Sequence, residues 1–176
     1  MAKYKQRISD RILKRKVLGK GAVLIEGPKW CGKTTTAKQL AKSVLDLGDS
    51  SVLMQSTQLI ELSPKTLLEG KTPRLIDEWQ ALPPIWDSIR SEVDKRGEPS
   101  QFILTGSSVL PEADETIHSG TGRFAHIKMR PMSLYESGES NGKVSLKDLF
   151  DGKVFEPQTN DLDINDIAYL TCRGGW

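Results

Sequence analysis

Gly27-Pro28-Lys29-Trp30-Cys31-Gly32-Lys33-Thr34 decides the reading of this chain. It satisfies G-x-x-x-x-G-K-[ST] at every fixed position. The glycines let backbone approach an anion closely, and successive N–H groups at a helix start then face its oxygens. Lys33 brings a cation toward β- and γ-phosphates, Thr34 offers a hydroxyl to Mg²⁺, and Thr35 stands near the α-phosphate. Gly27, Pro28, Lys29, Trp30, Cys31, Gly32, Lys33, Thr34 and Thr35 are therefore the candidate cofactor-binding residues.

The flanks suit such a loop. Ala22-Val23-Leu24-Ile25-Glu26 is apolar without alternation, as expected of a strand buried on both faces of a parallel sheet. Downstream, Ala37, Leu40, Ala41, Val44 and Leu45 predict one helix from Thr34 to Leu47, closed by Gly48, with Ser51–Met54 as a second strand. Residues 57–70 read as short helical pieces around Pro64. Arg74–Glu78 reads as a third strand, and Pro83-Pro84 opens a helix through Ile85, Trp86, Ile89 and Val93. Gln101–Gly106 and Phe124–Met129 read as the fourth and fifth strands. Residues 107–122, rich in Ser, Thr, Gly and acids, read as a mobile loop. Strands alternating with helices predict an α/β fold, three-layer αβα, around a mostly parallel sheet of about five strands.

Upstream, Tyr4, Ile8 and Ile12 fall four apart and predict a helix over residues 4–18, with Ser9 as N-cap and Gly19 and Gly21 ending it. Residues 1–20 hold eight Lys/Arg against one acid, residues 21–132 are near neutral, and residues 133–176 carry eight acids against four basic groups. The net charge of +2 thus conceals a basic head and an acidic tail. The head is either a solvated helix face or a surface that meets nucleic-acid phosphates. Residues 136–143 have linker composition, and Ile164, Ile167, Ala168 and Thr171 predict a last helix with Asp163 as N-cap. The expected organisation is a basic N-terminal helix (1–20), a nucleotide-binding core (21–135), and a linker with the start of a further domain (136–176). The chain stops on Gly175-Trp176, which suggests an N-terminal fragment.

Composition excludes other classes. The chain of 176 residues is 37% hydrophobic and 27% charged, with two cysteines. Disordered, collagen-like, coiled-coil and disulfide-scaffold classes do not fit, and Cys31 and Cys172 are consistent with a reducing cytoplasm. No run approaches the ~18 apolar residues of a membrane span.

Three further motifs carry chemistry. Leu75-Ile76-Asp77-Glu78 is an apolar strand ending in two carboxylates, the Walker B pattern. Asp77 would serve Mg²⁺ together with Thr34, and Glu78 would polarise an attacking water. Phe102-Ile103-Leu104-Thr105-Gly106-Ser107-Ser108 fits a sensor strand between the two Walker strands, with Thr105 the first choice and Ser107 the second to touch the γ-phosphate or water. Arg123, after Gly120-Thr121-Gly122, is either a charge-stabilising finger, in cis or on a neighbouring subunit, or a local structural residue; Arg130 is the weaker candidate. Glu78, Thr105 and Arg123 are thus the candidate catalytic residues. Cys31 reads chiefly as small filler, Trp79 and Trp86 as packing, and Trp30 as a shield of the nucleotide or a contact to a neighbour. His118 and His126 lack partners at ligand spacing.

The chain resembles the bacterial and archaeal AAA-type P-loop ATPases (the ASCE class) that join an N-terminal ATPase domain to a C-terminal domain of unknown function. The resemblance rests on residues 27–36, on Pro73–Gln80, on Phe102–Ser108, on Arg130–Leu134 and on Cys172–Trp176, and it covers essentially the whole chain. It implies ATP and Mg²⁺ binding at Lys33, Thr34 and Asp77, a catalytic Glu78, and hydrolysis of ATP to ADP and phosphate coupled to an absent C-terminal domain. Two other readings stand beside this one: a nucleotide-gated, DNA-associated switch with little turnover, engaging nucleic acid through residues 1–20, and a small-molecule kinase. Expected partners are nucleotide, the further domain, and copies of the chain if Arg123 acts across subunits; no membrane partner is expected.

Overall fold

The computed structural model describes residues 4–107, 122–156 and 161–175. Two compact units are present, Arg7–Arg130 and a second formed by the first six residues with Pro131–Trp176.

In the larger unit, α1 (Ile8–Gly19) leads into β1 (Ala22–Glu26), and α2 (Lys33–Lys38) follows the glycine loop. Then come β2 (Ser43–Asp46), α3 (Ser50–Leu62), α4 (Pro64–Leu67), β3 (Arg74–Asp77), a 3₁₀ turn (Trp79–Ala81) and α5 (Ile85–Arg96). The unit ends with β4 (Phe102–Gly106) and β5 (Phe124–Lys128). The five strands form one sheet in the order β2-β3-β4-β1-β5, and every pairing is parallel. β4, the strand that ends in Thr105 and Gly106, lies between β1 and β3, as expected from its hydroxyl-tipped end. Register aligns the strand ends: Glu26 pairs with Gly106, and Asp46 with Asp77. The segments that leave β1, β3 and β4 therefore emerge on one rim.

Alternation along the strands divides the core into two layers. Val23, Ile25, Leu75, Ile103 and Ile127 face Leu13 and Val17 of α1 and Ala37 of α2. Leu24, Leu45, Ile76, Phe102, Leu104 and Phe124 face Leu67 and the α5 residues Ile85, Trp86, Ile89 and Val93. Trp86 stacks on Phe124 at 4.3 Å between ring centroids and meets Trp79 at 4.9 Å. Helices on both faces of a parallel sheet make the expected three-layer αβα arrangement.

Two expectations fail between residues 38 and 54. The predicted helix to Leu47 stops at Lys38, and residues 43–46 form β2, paired with β3. Leu45 and Leu47 are buried while Val44 is exposed. That period of two, joined to a hydrogen bond from Lys42 N–H to the Pro73 carbonyl (2.9 Å), outweighs the helical spacing of the same apolar residues. The predicted strand at Ser51–Met54 is instead the first turn of α3. Asp49 caps it, accepting from the N–H groups of Ser51 (2.8 Å) and Val52 (3.3 Å), and an N-cap of this kind starts a helix whatever the β-propensity of the next residue. At the chain start, α1 begins at Ile8 rather than residue 4. Its N-cap is Arg7, whose N–H donates to Asp10 Oδ2 at 2.7 Å, so Ser9 lies inside the helix. Its buried stripe is Leu13 and Val17, not the Tyr4–Ile8–Ile12 row.

In the smaller unit, α6 (Leu134–Ser137), α7 (Leu146–Phe150) and α8 (Ile164–Arg173) are each capped by the residue before them, Ser133, Ser145 and Asp163. Arg173 pairs with Glu139 at 3.0 Å, and Met132 N–H donates to the Gly175 carbonyl at 2.9 Å. No described helix is long and apolar enough to cross a membrane.

Candidate functional site

The loop after β1 sits where the strand ends converge. Gly27 is packed so closely that a Cβ there would lie 2.4 Å from the Met129 carbonyl oxygen and 3.1 Å from Cys31 Sγ. Gly32 has φ 92°, in the left-handed region that favours glycine, and it turns the chain into α2. Lys33 is 5% exposed, and its Nζ donates to the carbonyls of Gly27 (3.0 Å) and Pro28 (2.9 Å), which centres the ammonium within its own loop. A cavity of about 500 Å³ opens here, lined by Lys29, Trp30, Gly32, Lys33, Thr34, Thr35 and Glu78. Trp30 stands at the cavity, 93% exposed and with φ 63°. Cys31 contributes backbone to the loop while its side chain is buried in the core layer with Ile25 and Ala37.

One hydroxyl joins Asp77 to the loop and a second joins it to β4. Thr34 Oγ1 donates to Asp77 Oδ1 at 2.8 Å. Thr105 Oγ1, fully buried at the end of β4, donates to the same Asp77 oxygen and accepts from the Glu78 N–H at 3.3 Å. Glu78 itself has φ 54° and ψ 46°, a left-handed conformation that few side-chain-bearing residues adopt. It lifts the carboxylate off the sheet and toward the cavity. Gln80 Nε2 donates to Glu78 Oε2 and lies 3.4 Å from Ser107 Oγ, while Gln80 Oε1 is buried with no hydrogen-bond partner among the described residues. The structure therefore brings together Lys33, Thr34, Thr35, Asp77, Glu78 and Thr105, with Ser107 joined to Glu78 through Gln80.

Arg123 is not brought to this cluster. Its carbonyl accepts from the Ala22 N–H (3.3 Å) at the start of β1, the opposite rim of the sheet. At ~3.3 Å per residue, a five-residue strand puts it roughly 15 Å from the loop along the strand direction. There the guanidinium pairs with Asp94 of α5, and that hydrogen bond holds the Asp94 carboxyl below the usual carboxylate range. Gly120 and Thr121, like Ser108 and His118, lie outside the described residues.

The oxygen donors fit a hard divalent cation. Thr34 Oγ1 and Asp77 Oδ1 are a hydroxyl and a carboxylate within one hydrogen bond, the donor types that Mg²⁺ shares with phosphate oxygens and water. Among the described residues, no group of three or more His, Cys, Asp or Glu forms a self-sufficient metal cage.

Comparison with known proteins shows the family of the chain. A family model described as "AAA domain" matches residues 19–138. The chain belongs to this AAA domain family. Two curated relatives of the AAA domain are uncharacterized protein Mb2031c of Mycobacterium bovis and uncharacterized protein Rv2008c of Mycobacterium tuberculosis. Each is 28% identical over 120 residues, which is 67% of this chain and 27% of the relative. The chain thus spans about a quarter of the length of the curated relatives it matches. Among solved structures, the AAA domain of FIGL-1 in complex with ADP is 14% identical, with a TM-score of 0.48, covering 89% of this chain and 62% of that one. The C. elegans protein PCH-2 is 16% identical with a TM-score of 0.39, covering 82% of this chain and 43% of its own. Neither likeness bears on what this AAA domain binds.

Proposed function

We propose that this AAA domain binds ATP with Mg²⁺ in the cavity at residues 27–35 and hydrolyses it to ADP and phosphate. The observation that carries the reading is the hydrogen bond between Thr34 and Asp77, which joins the end of the glycine loop to the end of β3, 43 positions on. Lys33 and the backbone N–H groups of the loop take up phosphate charge. Mg²⁺ held by Thr34 and Asp77 would neutralise charge on the β- and γ-phosphate oxygens. The Glu78 carboxylate orients a water and draws its proton as the water oxygen attacks the γ-phosphorus, and ADP leaves. Thr105 holds Asp77 and the Glu78 backbone in place. An acceptor kinase is the weaker alternative, because a carboxylate beside Asp77 favours water as the nucleophile.

Arg123, at the far rim of its own sheet, would stabilise transferred charge on a neighbouring subunit, so the reading includes a homo-oligomer. Coupling of turnover to a further C-terminal domain and a cytoplasmic setting belong to the same reading, and the two free cysteines agree with the latter. The exposed Arg11, Lys14 and Arg15 of α1 favour one second reading, a nucleotide-gated contact with nucleic acid.

The test is titration with ATP and Mg²⁺, together with phosphate release. Lys33→Ala should abolish binding. Glu78→Gln should bind ATP as the parent does and lose turnover. A parent protein without nucleotide affinity sinks the whole reading, and undiminished turnover in Glu78→Gln sinks the catalytic role alone. DNA affinity that falls with salt and vanishes when Lys14, Arg15 and Lys16 are neutralised would favour the second reading.

A further inference from the structure

Arg7 has no part in the reading so far, yet it touches the glycine loop. Its side chain is 8% exposed. Nη1 donates to the Cys31 carbonyl at 2.5 Å, and Nη2 donates to the Arg130 carbonyl at 3.1 Å. Nη1 also lies 3.3 Å from the position a Cβ on Gly32 would take. One guanidinium therefore spans the underside of the loop and the segment that leaves β5.

We propose that Arg7 is a positioning residue for phosphate capture, an inference that rests on the nucleotide reading of the loop. A loop that aims successive N–H groups at an anion must turn carbonyls the other way. A carbonyl turned into a buried setting needs a donor. Arg7 supplies that donor to Cys31, the residue just before Gly32 and Lys33. The planar fork matters, since its fixed N–H geometry serves two acceptors at once, whereas an ammonium is a single point donor. The fork is anchored from outside the loop: the Arg7 N–H is held by Asp10, and α1 is held by the buried Leu13 and Val17.

The role is tested by calorimetric titration of the full chain with ADP and with tripolyphosphate, beside unfolding midpoints without ligand. Arg7→Met keeps the aliphatic length, and Arg7→Lys keeps the charge and one donor. Both should weaken ADP and tripolyphosphate by the same factor, about tenfold or more for Arg7→Met and less for Arg7→Lys. Ile89→Ala, a core change in the layer on the other face of the sheet, should lower the unfolding midpoint and leave affinity unchanged. Parent-like affinity in both Arg7 variants overturns the proposal. So does an equal loss of affinity in Ile89→Ala, which would make Arg7 part of general stability. If Arg7→Met does not fold, Arg7→Lys carries the comparison. A parent that binds neither ligand overturns the nucleotide reading instead.

Discussion

Thr105 and Asp77 are joined through one hydroxyl that also receives the Glu78 N–H. A single side chain on β4 thereby fixes the last residue of β3 and the first residue after it. Thr105→Val keeps the shape and removes the hydroxyl, leaving a buried carboxylate with one fewer donor. The expected cost is ~1–3 kcal/mol of stability, read by urea denaturation, with turnover falling in parallel. Thr105→Ser should retain most of both. Equal stability of Thr105→Val and the parent would show that the hydroxyl contributes nothing at this junction.

Gln80 tethers the Glu78 carboxylate by its amide N–H while its own carbonyl oxygen stays buried and without a partner among the described residues. Such an arrangement costs stability, so Gln80→Leu should be as stable as the parent or more so. The same change frees Glu78 and should lower kcat about tenfold, which corresponds to ~1.4 kcal/mol of lost positioning, with nucleotide affinity unchanged. A fall in affinity with kcat intact would place Gln80 in binding rather than in the orientation of Glu78.

Gly27 marks the tightest approach in the loop. Gly27→Ala sets a methyl 2.4 Å from the Met129 carbonyl oxygen, a clash with backbone that no rotamer relieves. Overpacking of this kind costs ~1–3 kcal/mol. Gly19→Ala, where a Cβ meets nothing within 4 Å, is the control and should be neutral. Thermal unfolding distinguishes the two.

Asp49 makes α3 sensitive to acid. Hydrogen bonds from the Ser51 hydroxyl, then from the Ser51 and Val52 N–H groups, hold its carboxyl below the usual range. A depressed folded-state pKa stabilises fully above the unfolded value, ~3.9, and the contribution is lost as pH falls through the folded value. Asp49→Ala should therefore unfold at lower temperature than the parent at pH 7, and the gap should close from about pH 4 downward. A gap that persists at pH 2 would mean that the carboxylate charge is not what caps the helix.

How far the sequence carried these conclusions varies by element. β1 and β4 were legible as short apolar runs, α5 by its 3.6-residue stripe, and β3 and β5 by the carboxylates and the proline that end them. The loop was legible because its glycines, Lys33 and Thr34 stand at fixed spacing. β2 was not, since Val44 and Leu45 suit a helix face as well as a strand, and only the neighbouring β3 decides between them. α3 was obscured because Val52–Met54 looks like a strand unless Asp49 is taken as its cap. Arg7 and Gln80 were invisible for another reason. Their partners are backbone carbonyls and a carboxylate brought near by folding, and no local spacing announces such contacts. Arg123 was legible from its glycine neighbours only as a finger, in cis or across subunits, or as a local structural residue, and chain direction in a parallel sheet, which puts the start of β5 on the far rim, speaks against the cis role.

Trp30 gives the molecule an optical handle. An indole standing in water at the mouth of the cavity emits at long wavelength, while Trp79 and Trp86, packed in the core, emit at shorter wavelength. Occupancy of the loop should therefore be written into the red edge of the intrinsic fluorescence. In a Trp176→Phe background, which takes out the fourth tryptophan, Trp30→Phe removes that signal and leaves the core spectrum standing, so ligand arrival can be followed in real time without any label.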